Sequence, residues 1–136
     1  MVTSDPLARP HIVVIGVGNP FRRDDGAGPE VARRVRAATP SWVDVVEHDG
    51  EPAGLLDVWE GADLAVVVDA VRSHARSPGY VHRVLVEATT GAGAQSGVSS
   101  HAGGPGNAVA LARALDRMPA RLVLYGIEGD TFSAGV

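Results

Sequence analysis

The sequence predicts an α/β domain in which helices cover both faces of a mostly parallel sheet, a three-layer α/β/α sandwich. Short β-branched apolar runs alternate along the chain with amphipathic helical segments, which is the pattern of βαβ units. Two of these runs lack a polar face, as strands covered on both sides do. A chain of 136 residues is also long enough to bury one core and too short for two.

Composition and charge exclude several classes of function. The 12 Lys and Arg residues are outnumbered by 16 Asp and Glu, and no long basic stretch is present, so nucleic acid is not an expected partner. Cysteine is absent, which excludes disulfides, thiolate nucleophiles and Cys-ligated zinc. We expect a cytoplasmic protein without membrane association, because neither a signal peptide nor an apolar run of about 18 residues occurs.

The first half of the chain predicts the order strand, helix, strand, helix. Residues 1–10 include two prolines and are expected to form a flexible leader to a single domain over 11–136. The expected elements are a central parallel strand at 11–17, a helix at 29–38, a strand at 42–47 and a short helix around 55–59.

The second half continues the alternation. The expected elements are a strand at 64–69 in the centre of the sheet, an edge strand at 80–86, a mobile Gly- and Ser-rich linker at 88–100, a helix at 107–115 and a last strand at 121–127. Right-handed crossovers would join the parallel strands. A helix normally follows the last strand, but only residues 128–136 remain, so the C-terminal helix is expected to be missing or replaced by another subunit.

Polar residues follow several of the predicted strands. Asp24 and Asp25 lie in the loop after the first strand, Asp69 ends the third, and His101 precedes the last helix. Ligands of open α/β sheets bind beyond the carboxyl ends of the strands, so these residues are the first candidates for a site. Two carboxylates and one imidazole could bind a divalent transition metal and leave coordination positions open.

Each candidate also has a purely structural explanation. Asp24 or Asp25 could cap the following helix, and Asp69 could fix a turn through its side chain. His101 could simply be solvated in its Gly-rich stretch. The other histidines are weaker candidates still; they include His48, His74 and His82.

Two further enzyme classes have less support. The glycines at 16 and 18 begin a dinucleotide-binding fingerprint, but its third glycine falls on Phe21, and Pro20 removes an N–H from the phosphate-binding loop. The sequence contains neither a G-x-S-x-G motif nor a Ser-His-Asp order, so a serine hydrolase has little support.

The loop motif Gly16-Val-Gly-Asn-Pro-Phe-Arg-Arg-Asp-Asp-Gly-Ala-Gly28 resembles the opening signature of hydrogenase maturation proteases. Three later segments resemble other motifs of that family in the same order: Asp49-Gly-Glu-Pro-Ala-Gly54, Val66-Val-Val-Asp-Ala70 and Ser100-His-Ala-Gly-Gly104. The resemblance spans roughly residues 11–127 and implies a phosphorylase/hydrolase-like α/β/α fold.

The resemblance implies that Asp25, Asp69 and His101 are both the metal-site ligands and the catalytic residues, with Asp24 as a neighbour. Family members remove a C-terminal extension from the large-subunit precursor of [NiFe] hydrogenase after nickel insertion. The nickel would therefore arrive with that precursor, and no organic cofactor is implied. The water that attacks the peptide could be activated by the metal or by a carboxylate.

The sequence departs from the family in two places. Gly103-Gly-Pro-Gly106 replaces a more helical continuation after His101, and the chain stops at Thr131-Phe-Ser-Ala-Gly-Val136, where relatives continue into a final helix. These departures keep open a second hypothesis, a non-catalytic assembly factor that docks on the same precursor. A nucleotide-binding module is a third hypothesis. The sequence does not predict an oligomeric state.

Overall fold

The computed structural model describes residues 9–18, 26–71, 77–87 and 105–129. Within these ranges the chain forms five strands and three helices. Their order is β1 (Ile12–Val17), α1 (Ala27–Ala38), β2 (Asp44–His48), α2 (Pro52–Trp59), β3 (Leu64–Val71), β4 (Val81–Val86), α3 (Pro105–Leu115) and β5 (Leu122–Glu128). Residues 1–8 of the leader predicted over 1–10, and the predicted linker at 88–100, lie outside the described residues.

The five strands form one sheet in the order β2-β1-β3-β5-β4. The first four in this order are parallel neighbours, and β4 pairs antiparallel with β5 at the edge. The prediction of a mostly parallel sheet with β3 at its centre and β4 at its edge is confirmed.

Helices cover opposite faces of this sheet. Gly16 in β1 approaches Ala32 of α1, whereas its neighbours Ile15 and Val17 point to the other face and join the core under α2 and α3. That core is made of buried apolar side chains, among them Val13, Ile15, Leu55, Leu56, Trp59, Val67, Val86, Val109, Leu122 and Leu124. The predicted α/β/α architecture is confirmed.

Helix α1 is also held by charges on its exposed side. Glu30 in its first turn accepts hydrogen bonds from Arg33 and Arg34, and these bonds lower the pKa of the Glu30 carboxyl. Arg33 also reaches Glu47 of β2 at 3.3 Å. The charges therefore join the helix to the neighbouring edge strand.

The face of the sheet that carries α1 is not covered evenly. α1 packs on β1, β2 and β3. Further along the same face, Val81 and Leu85 of β4 are exposed apolar side chains. The sequence also predicted a missing C-terminal helix; residues 130–136 lie outside the described part of the chain. None of the described helices is long and apolar enough to cross a membrane.

Candidate functional site

One row of residues crosses the whole sheet near the carboxyl ends of its parallel strands. Val17 is the register partner of both His48 and Asp69, Asp69 is the partner of Gly126, and Gly126 is the partner of His82. Register partners point to the same face of a sheet. Because Val17 belongs to the core beneath α2 and α3, the row lies on that face. The row places one carboxylate between two imidazoles.

Asp69 lies in the middle of this row and is buried, with 7% of its surface exposed. The sequence pattern predicted that β3 ends at this residue. The strand instead continues to Val71, because Ala70 and Val71 still pair with Ile127 and Glu128 of β5. No turn therefore follows Asp69 directly. A buried carboxylate inside an otherwise apolar strand is unusual, which makes Asp69 a candidate for a functional role.

The other two predicted ligands, Asp25 and His101, lie outside the described residues, as does Asp24. The neighbouring elements are described. The N-cap position of α1 is Gly26, which has no side chain to cap with, so neither Asp24 nor Asp25 occupies that position. Helix α3 begins at Pro105.

The start of α1 packs directly on the strands that lead to the row. A Cβ atom at Gly28 would lie 2.2 Å from the Val17 carbonyl oxygen and 2.7 Å from the Val68 carbonyl oxygen. A Cβ atom at Gly16 would lie 2.2 Å from the Gly28 carbonyl oxygen. These glycines therefore let the first turn of α1 contact β1 and β3 one residue away from Asp69.

His48, at one end of the row, contacts the segment that follows it in the chain. Its Nδ1 accepts a hydrogen bond from the Gly50 backbone N–H at 2.9 Å. Its Nε2 lies 2.8 Å from the position that a Cβ atom would take at Gly54. The glycines of segment 49–54 therefore make room for the imidazole, and Gly50 also has a positive φ of 93°.

His82 at the other end of the row contacts a buried carboxylate. Its Nε2 lies 2.6 Å from Oε2 of Glu128, and the Glu128 side chain is 1% exposed whereas that of His82 is 34% exposed. Glu128 follows Gly126 by two residues on β5 and therefore points to the same face. From the sequence, His82 was only a weak candidate and Glu128 was not predicted as a site residue. The available signal was an acid at the end of an otherwise apolar strand.

Asp69 is the predicted metal ligand that lies among the described residues. Over residues 9–18, 26–71, 77–87 and 105–129, no three His, Asp or Glu side chains come together as metal ligands. Asp69 offers hard carboxylate oxygens at the carboxyl edge of the sheet, where ligands of such folds bind. The donor type thus suits a divalent transition metal, and the ligand set of Asp25, Asp69 and His101 stays a prediction.

Solved structures with the same fold include hydrogenase maturation endopeptidases. Hydrogenase maturating endopeptidase HybD from E. coli is 21% identical, with a TM-score of 0.69 over 90% of this chain and 76% of that one. An endopeptidase from Escherichia coli is 22% identical, with a TM-score of 0.71 over 89% of this chain and 75% of that one.

A third structure is the [NiFe] hydrogenase maturation protease HybD from Thermococcus kodakarensis. It is 24% identical, with a TM-score of 0.65 over 92% of this chain and 84% of that one. Comparison with protein-family models and with curated proteins gave no match. The solved structures support the resemblance read from the sequence motifs: the chain has the fold of the hydrogenase maturation endopeptidases.

Proposed function

We propose that this protein is an endopeptidase that removes the C-terminal extension of a [NiFe] hydrogenase large-subunit precursor after nickel insertion. The observation that carries the proposal is the buried Asp69 carboxylate at the carboxyl edge of the sheet, in a fold shared with solved hydrogenase maturation endopeptidases. The precursor is the proposed partner, and a cytoplasmic location is part of the proposal.

In this proposal the nickel belongs to the substrate. Asp69, together with Asp25 and His101, would bind a nickel ion that the precursor already coordinates in part. Oxygen and imidazole ligands suit such an ion. The contact would hold the scissile peptide beside the site, and a fixed position of this kind accelerates hydrolysis by proximity. The precursor would thus be cut only after nickel has been installed.

Mass spectrometry of the precursor after incubation with this protein tests the proposal. We expect loss of a C-terminal peptide from the nickel-loaded precursor and no loss from the nickel-free one. Binding of the loaded precursor without cleavage would contradict the peptidase and favour a docking factor. Cleavage of both forms alike would contradict the role of nickel.

Variants of the three predicted ligands test the site itself. Asp25→Ala, Asp69→Ala and His101→Ala are each expected to lower cleavage by at least about 100-fold, because each removes one ligand of the substrate metal. Asp44→Ala is a matched control, since this exposed carboxylate lies at the opposite end of β2 and contacts only His11 among the described side chains. Full activity of all three ligand variants would contradict the assignment.

A further inference from the structure

We propose that His82, oriented by Glu128, is the general base that activates the attacking water. This inference rests on the proposed peptidase function and adds to it a pair of residues that the metal site does not include. Four features support it: the contact between the two side chains, the free ring nitrogen, the exposure of the imidazole and its position relative to Asp69.

The contact fixes the protonation pattern of the ring. Oε2 of Glu128 lies 2.6 Å from Nε2 of His82, and an ionised carboxylate can only accept a hydrogen bond. In a pair of an ionised Glu128 and a neutral imidazole, Nε2 therefore carries the proton, and the lone pair lies on Nδ1. A buried carboxylate behind one ring nitrogen of a histidine is the arrangement that orients a general base and stabilises its protonated form.

The other ring nitrogen is available for chemistry. Within the described part of the chain, Nδ1 of His82 has no hydrogen-bond partner. About a third of the His82 side chain is exposed, whereas the Glu128 side chain is buried. Tyr80 contacts the imidazole edge-on, with the two ring centroids 4.9 Å apart, and limits its rotation. The imidazole is therefore held in place and still accessible to water.

The position of the pair matches a role beside Asp69. Asp69, Gly126 and His82 occupy the same row on adjacent strands, so the Cα atoms of Asp69 and His82 are about 10 Å apart, twice the spacing between strands. Gly126 between them contributes no side chain. The side chain of Val71 packs against Gly126, with its Cγ1 2.9 Å from the position that a Cβ atom would take there. A peptide held at Asp69 would lie on the same face of the sheet as the imidazole.

His48 does not offer the same chemistry, although it lies in the same row. Its Nδ1 already accepts the hydrogen bond of Gly50, and its Nε2 packs against Gly54. His11 also contacts a carboxylate, that of Asp44 at 3.2 Å, but this pair is exposed and lies at the opposite end of the sheet. Among the described histidines, His82 thus combines a contact to a buried carboxylate with an available ring nitrogen, and it lies at the same end of the sheet as Asp69.

The proposed step is a hydrolysis with no redox change. The oxygen of a water molecule attacks the carbonyl carbon of the scissile peptide while Nδ1 of His82 takes a proton from that water. The carbon–nitrogen bond then breaks, and the imidazolium returns the proton to the leaving amine. Glu128 accepts the Nε2–H hydrogen bond throughout and stabilises the imidazolium.

Steady-state cleavage of the nickel-loaded precursor by His82 variants tests this inference. His82→Gln keeps a hydrogen-bond donor for the buried Glu128 but has no basic nitrogen, so kcat should fall by about 10²–10³ with KM nearly unchanged. His82→Ala should lose activity similarly and regain part of it in added imidazole. Glu128→Gln should lower kcat in the same direction. His11→Ala, the matched control, should cleave like the wild type.

The outcomes separate this inference from the proposed function. If the wild type cleaves the precursor and the kcat of His82→Gln stays within a few-fold of the wild-type value, His82 is not the general base. The proposed peptidase function is then unaffected. If added imidazole does not restore the activity lost in His82→Ala, the contact between His82 and Glu128 serves to hold β4 against β5. This result would also overturn the inference. Imidazole must leave Asp69→Ala inactive, which excludes an effect on the nickel. If the wild type does not cleave, both proposals fail.

Discussion

Gly28 shows how one residue without a side chain determines the distance between a helix and the sheet. A Cβ atom at this position would meet two carbonyl oxygens, those of Val17 and Val68. Both oxygens belong to strands, so neither can move away without disturbing the pairing of β1 with β3. A larger residue must therefore displace the first turn of α1.

We predict that Gly28→Ala lowers the free energy of unfolding by about 1–3 kcal/mol, because overpacking forces the backbone apart. Urea unfolding measures the loss. Gly26→Ala is the matched control, since its Cβ atom would meet no described atom within 4 Å outside its own helix and adjacent residues, and its effect should stay within about 0.5 kcal/mol. Equal stability of the two variants would contradict the close approach of α1.

Among the elements, α2 has a well-defined start. Pro52 occupies its first turn, where a missing N–H costs nothing, and Glu51 occupies the N-cap position. The Glu51 carboxylate accepts hydrogen bonds from the backbone N–H groups of Ala53 at 3.0 Å and Gly54 at 2.7 Å. These bonds satisfy donors that have no partner within the helix. The cap thus orients segment 49–54, whose glycines contact the His48 imidazole.

We predict that Glu51→Ala lowers the free energy of unfolding by about 1 kcal/mol, since both capping bonds are lost. Glu51→Gln keeps one acceptor oxygen and should lose less. Chemical denaturation of the three proteins gives the order wild type, Gln variant, Ala variant. An Ala variant as stable as the wild type would mean that Pro52 and packing alone start the helix.

For the whole molecule, Trp59 joins the layer of helices to the sheet. Its side chain is fully buried in the core at the end of α2, and its Nε1–H donates to the Arg117 carbonyl oxygen at 3.0 Å. Arg117 lies beyond the end of α3 and also contacts Asp57 and Glu60, so its guanidinium reinforces the same junction. The indole and the guanidinium therefore add polar contacts to the apolar packing between α2 and α3.

We predict that Trp59→Phe lowers the free energy of unfolding by about 1–3 kcal/mol, because it leaves a cavity and removes the donor to Arg117. Circular dichroism during denaturation measures the change. Trp42, the second tryptophan, is 37% exposed and stacks under Arg9, so Trp42→Phe should change stability by no more than about 0.5 kcal/mol. Similar losses in both variants would show that burial does not decide the effect.

The type and order of the elements were determined by the sequence alone. Apolar strands and amphipathic helices are local patterns, and the eight predicted elements of the described residues are present with ends shifted by a few residues. The ends differ because strand pairing decides where a strand stops and capping decides where a helix begins. The strand expected to stop at Asp69 continues to Val71 because β5 offers further partners, and α3 begins at Pro105, two residues before the predicted start.

For the candidate site, sequence motifs alone selected Asp25, Asp69 and His101, and of these the described structure contains Asp69. Only the tertiary structure brought His82 and Glu128 together, because they are 46 residues apart and lie on strands that run in opposite directions. Strand order and register also decided that Asp69 shares a row with two histidines. Contacts of this kind depend on which strands become neighbours, which a pattern along one segment does not encode.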